Sequence, residues 1–184
     1  PRRLHNTPKT SRFFNAYYSE GSFASGGIAC ILPGRRIVAI SAMKTYALAV
    51  DLGATNVRVA LVSSDGRIIE RLKDDTPRRG KTSAVIPEKI AAMIEVLVEN
   101  HTSQRTIGIG IASMGPLDYK RGGPLTSPNI PFAFVPLVAP LKKRFSLPVV
   151  LLNDCNAAVL GEQRFGAGRR RENLVYITVS TGIG

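Results

Sequence analysis

Apolar and polar positions fall into order from residue 46 onward. Tyr46–Val50 is an unbroken apolar run closed by Asp51-Leu52-Gly53, the profile of a buried strand ending in a turn. Val57–Val62 repeats it with β-branched residues, and Ser63-Ser64-Asp65-Gly66 supplies turn chemistry. Arg67–Leu72 alternates as a third strand, so the three predict an antiparallel meander, followed by a polar loop over Arg78–Ser83. In Pro87–His101, the residues Ile90, Met93, Ile94, Leu97, Val98 and His101 recur at three- and four-residue steps, which predicts a helix with one apolar face. Pro87 suits its first turn and His101 its carboxyl end, so His101 reads as a helix-end residue rather than a ligand.

Thr106–Ala112 predicts a fourth strand in which Gly108 and Gly110 alternate with isoleucines, a pattern that marks close approach by another element. A Gly/Pro-rich loop is expected from Met114 to Pro131, long enough to suggest a functional role. Val135–Phe145 reads as a helix stopped before Pro148, and Pro148–Leu152 as a short buried strand ending at Asn153-Asp154. Asn156–Phe165 reads as a helix, Gly166–Arg171 as a basic turn and Leu174–Val179 as a strand leading into Ser180-Thr181-Gly182-Ile183-Gly184. Residues 1–42 hold no comparable period. Phe13, Phe14, Tyr17 and Tyr18 cluster ahead of Ser25-Gly26-Gly27, and neither helix nor strand spacing persists. They read as an irregular leader outside the fold, with Met43 as the natural start.

Composition changes this picture only at its margins. The 184 residues are 44% hydrophobic and 21% charged, which suits a globular chain and excludes collagen-like, mucin-like and wholly disordered ones. The net charge of +12 divides into +5 over residues 1–42 and +7 over the rest, so the excess is spread out. It favours anionic partners without choosing among nucleic acid, lipid headgroups and phosphorylated small molecules. Cys30 and Cys155 have neither metal-ligand spacing nor a disulfide framework, so they read as free thiols of a reducing, cytoplasmic compartment. No apolar run reaches the ~18 residues that span a bilayer, and no membrane partner is expected.

Three strand-end clusters carry candidate chemistry. In Asp51-Leu52-Gly53-Ala54-Thr55-Asn56, glycine lets the backbone approach a ligand and the neighbouring N–H groups can line an anion-binding concavity. Asp51 can hold Mg²⁺ directly or through water, or the segment is a plain turn. In Asn153-Asp154-Cys155-Asn156, the Asp can cap a helix or accept a proton from a substrate hydroxyl. Ser180-Thr181-Gly182-Ile183-Gly184 offers a second place where phosphate oxygens can meet backbone N–H groups, or an ordinary glycine turn. Cys155 has no histidine near it in sequence, so a Cys-His nucleophile lacks its base.

These clusters, taken with Gly108–Pro116 and Ser127-Pro128-Asn129-Ile130-Pro131, resemble in order and interval the ROK family of sugar kinases and repressors, over about residues 44–184. The resemblance is nearest to glucokinase- or hexokinase-like members. It implies an α/β fold of the actin/hexokinase-like (ribonuclease H-like) type, a mixed sheet flanked by helices. It also implies ATP-dependent phosphorylation of a hexose hydroxyl. By that resemblance Asp154 is the catalytic base, and Asn129, Asn153 and Asp154 bind the sugar. Asp51, Gly53, Thr55 and Asn56 form the first phosphate loop, with Asp51 near Mg²⁺, and Thr181 and Gly182 belong to the second. ATP and Mg²⁺ are the implied cofactors, hexose and ATP the partners, and a homo-oligomer the implied form of the full-length protein.

The family pattern continues past the second phosphate loop with a Glu-x-Gly-His sugar site, a Cys-rich zinc motif and an adenosine pocket. None of these stands in this sequence, so zinc is not expected here. The expected division is a leader over 1–42, a sugar-kinase lobe over 43–172 and the first strand and phosphate loop of a second lobe over 173–184. The 184-residue chain alone is expected to be inactive. The alternative is a ROK-type sugar-responsive regulator without kinase activity, although residues 1–42 show no paired amphipathic helices of a helix-turn-helix. A nucleic-acid partner rests on net charge alone and is not expected, since no aromatic-basic module appears.

Overall fold

The computed structural model describes residues 27–30, 38–41, 44–127 and 130–178. Contacts divide the chain into two units, residues 1–42 and 43–184. In the first, β1 (Gly27–Cys30) and β2 (Val38–Ser41) pair antiparallel, with Gly27 opposite Ser41 and Cys30 opposite Val38. The segment expected to be irregular therefore holds a hairpin. Strands of four residues contain only two alternations, too few to show a period in sequence.

The second unit is built on five strands in the order β10-β6-β3-β4-β5. They are β3 (Thr45–Leu52), β4 (Asn56–Ser63), β5 (Ile68–Asp75), β6 (Arg105–Ser113) and β10 (Val149–Asn153). β3, β4 and β5 form the expected antiparallel meander, while β3, β6 and β10 run parallel. Alternation decides the faces. Tyr46, Leu48, Val50 and Leu52 of β3, with Val57, Val59 and Leu61 of β4, are buried on one side. α1 (Val85–Asn100) packs there through Ile86, Ile90, Ala91, Met93, Ile94 and Leu97; of the predicted stripe Ile90, Met93, Ile94 and Leu97 are buried, whereas Val98 is exposed. Burying each large apolar side chain contributes about 1.5–3 kcal/mol. His101 is the C-cap of α1, and its Nε2 lies 2.7 Å from Glu70 Oε2 on β5.

The second unit departs from expectation in four places. Residues 114–131 are not a loop throughout. Together with the residues that follow they hold a three-stranded sheet of β7 (Leu117–Asp118), β8 (Gly123–Ser127) and β9 (Ile130–Phe134). Its glycines hide the strand period and serve its tightness. Gly122 turns at φ 76°, and any Cβ on Gly123 would collide with the Val135 carbonyl. The helix expected over 135–145 starts later, as α2 (Val138–Phe145), because the Val135 amide donates to Pro124 O and the Leu137 amide to Gly122 O. The strand expected over 174–179 is absent from its described residues, 174–178. Val175 is 86% and Ile177 67% exposed, and no neighbouring strand pairs with them among the described residues. Last, only Gly108 has the expected close neighbour. A Cβ there would sit 3.3 Å from Pro148 O, whereas Gly110 faces open space.

Candidate functional site at one sheet edge

The parallel strands β3, β6 and β10 end together. Asp51 stands level with Ala112 and Ala112 with Leu152, while Leu52 is level with Ser113 and Ser113 with Asn153. With neighbouring strands about 4.8 Å apart, the ends of β3 and β10 lie about 10 Å from each other across β6. Carboxyl ends of parallel strands are where open α/β sheets bind ligands. The loop after β6 ties the edge together: the Met114 amide donates to Leu52 O at 3.3 Å, and Gly115 packs toward Asn153 Nδ2.

At the β10 end, Asn153 has extended backbone and caps α3 (Asp154–Phe165). Its Oδ1 accepts from the Cys155 amide at 3.1 Å and the Asn156 amide at 3.4 Å. Asn153 therefore does the capping left open between cap and proton acceptor for its neighbour. Asp154, exposed at the first helical position, accepts at Oδ1 from Asn153 Nδ2 at 2.9 Å and from the Cys155 amide at 2.9 Å. Among the described residues only that oxygen is engaged, which leaves Oδ2 for an outside hydroxyl. Cys155 is partly buried, with Sγ 3.8 Å from Thr178 Oγ1.

At the β3 end the chain reverses through Gly53–Asn56, closed by the Gly53 amide donating to Asn56 O at 3.0 Å. Two residues that the sequence pattern does not assign to the site, Thr76 and Arg78, hold this turn. Thr76, 3% exposed, donates from Oγ1 to Gly53 O at 2.8 Å, and its amide donates to Thr55 O at 2.9 Å. Arg78 donates from Nη2 to Thr55 Oγ1 at 3.0 Å and from Nε to Ala54 O at 3.2 Å. Beside them Thr55, Asp75 and Arg79 help line a concavity of about 390 Å³. The available signal was register: extending the meander puts Asn56 opposite Asp75, so Thr76 must meet the turn.

Asp51 and Arg58 face each other across β3 and β4, and Arg58 Nη1 donates to Asp51 Oδ2 at 2.7 Å. The pair is about half exposed, so its contribution to stability is about 0–1 kcal/mol. Oδ1 of Asp51 carries no bond among the described residues. One half-exposed carboxylate beside a backbone turn fits Mg²⁺, which is usually held by one or two carboxylates, waters and substrate phosphates. Asn129, Thr181 and Gly182 lie outside the described residues. The structure thus brings Asp51, Gly53, Thr55, Asn56, Asn153 and Asp154 to one edge of the sheet.

The sequence profile of the ROK family matches residues 47–184. The glucokinase of Thermotoga maritima is 41% identical over 143 residues, covering 77% of this chain and 44% of its own length. The xylose repressor of Caldicellulosiruptor bescii is 27% identical over 183 residues, covering 97% of this chain and 46% of its own. Among solved structures, a ROK glucokinase from Streptomyces griseus in complex with glucose and AMPPNP aligns with a TM-score of 0.64 and 36% identity, over 76% of this chain and 43% of that one. The chain spans less than half the length of these relatives. The mixed sheet with its flanking helices is the fold expected from the resemblance.

Proposed function

The chain belongs to the ROK family, and from that premise we propose that it supplies the sugar-side lobe of a kinase transferring phosphate from ATP to a hexose hydroxyl. The observation that carries this reading is the shared edge: an Asn-Asp corner and a glycine turn end the parallel strands on either side of β6, about 10 Å apart. That spacing leaves room for a sugar at one end and a terminal phosphate at the other.

In this reading Asp154 takes the proton from the attacking hydroxyl through Oδ2, and Asn153 fixes the carboxylate through its Nδ2 bond while capping α3. Asn129 contributes to the sugar side. Backbone amides at the tip of the Gly53–Asn56 turn, beyond the Gly53 amide that closes it, and the Thr55 hydroxyl meet the donor phosphates, as do Thr181 and Gly182. Asp51 would hold Mg²⁺, which supplies charge neutralisation on the phosphates. Phosphoryl transfer asks for little beyond positioning and charge stabilisation, and those are what this edge offers. We assign residues 1–42 to a leader, 43–172 to the lobe and 173–184 to the start of a second lobe. The lobe alone is expected to give no turnover in a coupled ATP and glucose assay.

The direct test is a chimera in which residues 43–184 replace the matching stretch of the Thermotoga maritima glucokinase. ATP-dependent glucose phosphorylation that disappears in Asp154→Asn supports the kinase. A folded chimera that binds glucose but transfers no phosphate favours a sugar-sensing regulator. One observation keeps that second reading in play: the repressor match runs over 97% of the chain, the glucokinase match over 77%.

A further inference from the structure

We infer that a cleft lined by arginines at the far end of α3 binds a phosphorylated small molecule, at a place separate from the sheet edge and independent of the kinase reading. The cleft lies where the turn after β4 meets the last turn of α3. The Ser64 amide donates to Thr45 O at 3.0 Å, which fixes that turn at the amino end of β3. Eight residues of strand at about 3.3 Å each put it about 25 Å from the carboxyl edge. The Phe165 ring packs directly over Gly66, whose φ of 84° and missing Cβ permit the approach.

The space between these elements measures about 630 Å³, and Arg67, Arg164, Arg169 and Arg170 all line it. Arg67 is paired, 3.0 Å from Asp65. Arg164, Arg169 and Arg170 have no carboxylate partner among the described residues. The nearby carboxylate of Glu162 is turned to the Ala167 amide at 2.9 Å. Arg170 also sits at φ 65°, a backbone region that favours glycine and that other residues occupy at a cost of about 1–3 kcal/mol. Three arginines that line one cleft without carboxylate partners among the described residues make a charge arrangement that an anion completes.

The chemistry of the walls selects the ligand class. Guanidinium forks match phosphate oxygens in a bidentate way, and several of them suit a dianion or a condensed phosphate. The volume falls in the ~300–1,000 Å³ range of small-molecule sites. Sugar phosphates and inorganic condensed phosphates share the required group.

Amide NMR of the 184-residue chain, titrated separately with inorganic triphosphate and glucose 6-phosphate at constant ionic strength, tests the site. Saturable shifts at 64–67 and 163–170 are expected with at least one probe, and the tighter probe identifies the source of the phosphate. Arg170→Gly removes a charge at a backbone angle glycine prefers, so the fold is retained, and affinity should fall about fivefold. Arg164→Gln should weaken binding further. The inference is overturned if shifts occur only at 53–56, if sodium sulfate gives the same response, or if Arg170→Gly binds both probes unchanged. Duplex DNA binding at 163–170 while both small phosphates are ignored would also overturn it.

Discussion

The glycine turn after β3 and the Asn-Asp corner after β10 share a sheet edge but are held in different ways. The corner is organised by bonds between residues one to three positions apart: Asn153 to the Cys155 and Asn156 amides, and Asn153 Nδ2 to Asp154. The turn is held mostly from elsewhere, by Thr76 and Arg78, which come from 23 and 24 residues away. A base needs a fixed carboxylate, and a helix cap supplies that locally. The carbonyls of the turn at Gly53, Ala54 and Thr55 are instead tied back by residues just past the end of β5.

The comparison is sharpened most by Asp154→Asn in the active chimera. If the corner carries the chemistry, turnover should fall by about 10²–10⁴-fold while sugar binding changes less. Steady-state kinetics beside a glucose titration measures both, and near-normal turnover would remove Asp154 from the base role. Next is Thr76→Val, a shape-conserving change that leaves Gly53 O without its buried donor. It should destabilise the second unit by about 1–3 kcal/mol in urea unfolding and speed hydrogen exchange at the Asn56 end of the turn. Unchanged exchange would mean that the turn stands without its long-range tie.

Asn153→Ala deletes the α3 cap and should lower stability by about 1 kcal/mol. Its exchange effects should stay within the first turn of α3, as expected of a locally held corner. The smallest effect is expected away from both halves. Hydrogen bonding and charge from Arg144 hold the Glu95 carboxyl below its ordinary value of 4.5. A lowered folded value means the pair's contribution is present above pH 4.5 and fades as pH falls through that lower value. Glu95→Gln should therefore flatten the acid limb of the stability profile slightly, leaving the exchange rates at Gly53–Asn56 and Asn153–Asn156 unchanged.

The same division separates what could be read in the sequence from what could not. The β3–β5 meander and the apolar face of α1 were legible because period-2 and period-3.6 patterns record a single buried face. The three-stranded sheet within 114–134 was not, since Gly122 and Gly123 are used for a tight turn and a close backbone approach rather than for patterned burial. The start of α2 was misread because amides at Val135 and Leu137 are claimed by Pro124 and Gly122, partners that no local pattern reveals. Asp154 had two open roles in sequence, and the cap geometry assigned capping to Asn153 instead.

The sequence by itself determined which stretches bury a face and which short polar clusters end the strands, because both follow from local stereochemistry and solvation. Only the tertiary structure decided that Asp51 and Asn153 end parallel strands on either side of β6, that Thr76 and Arg78 brace the glycine turn, and that arginines from a helix end and a hairpin turn face one cleft. Those outcomes depend on strand order and register, which are set by long-range hydrogen bonding and leave no mark on any single segment.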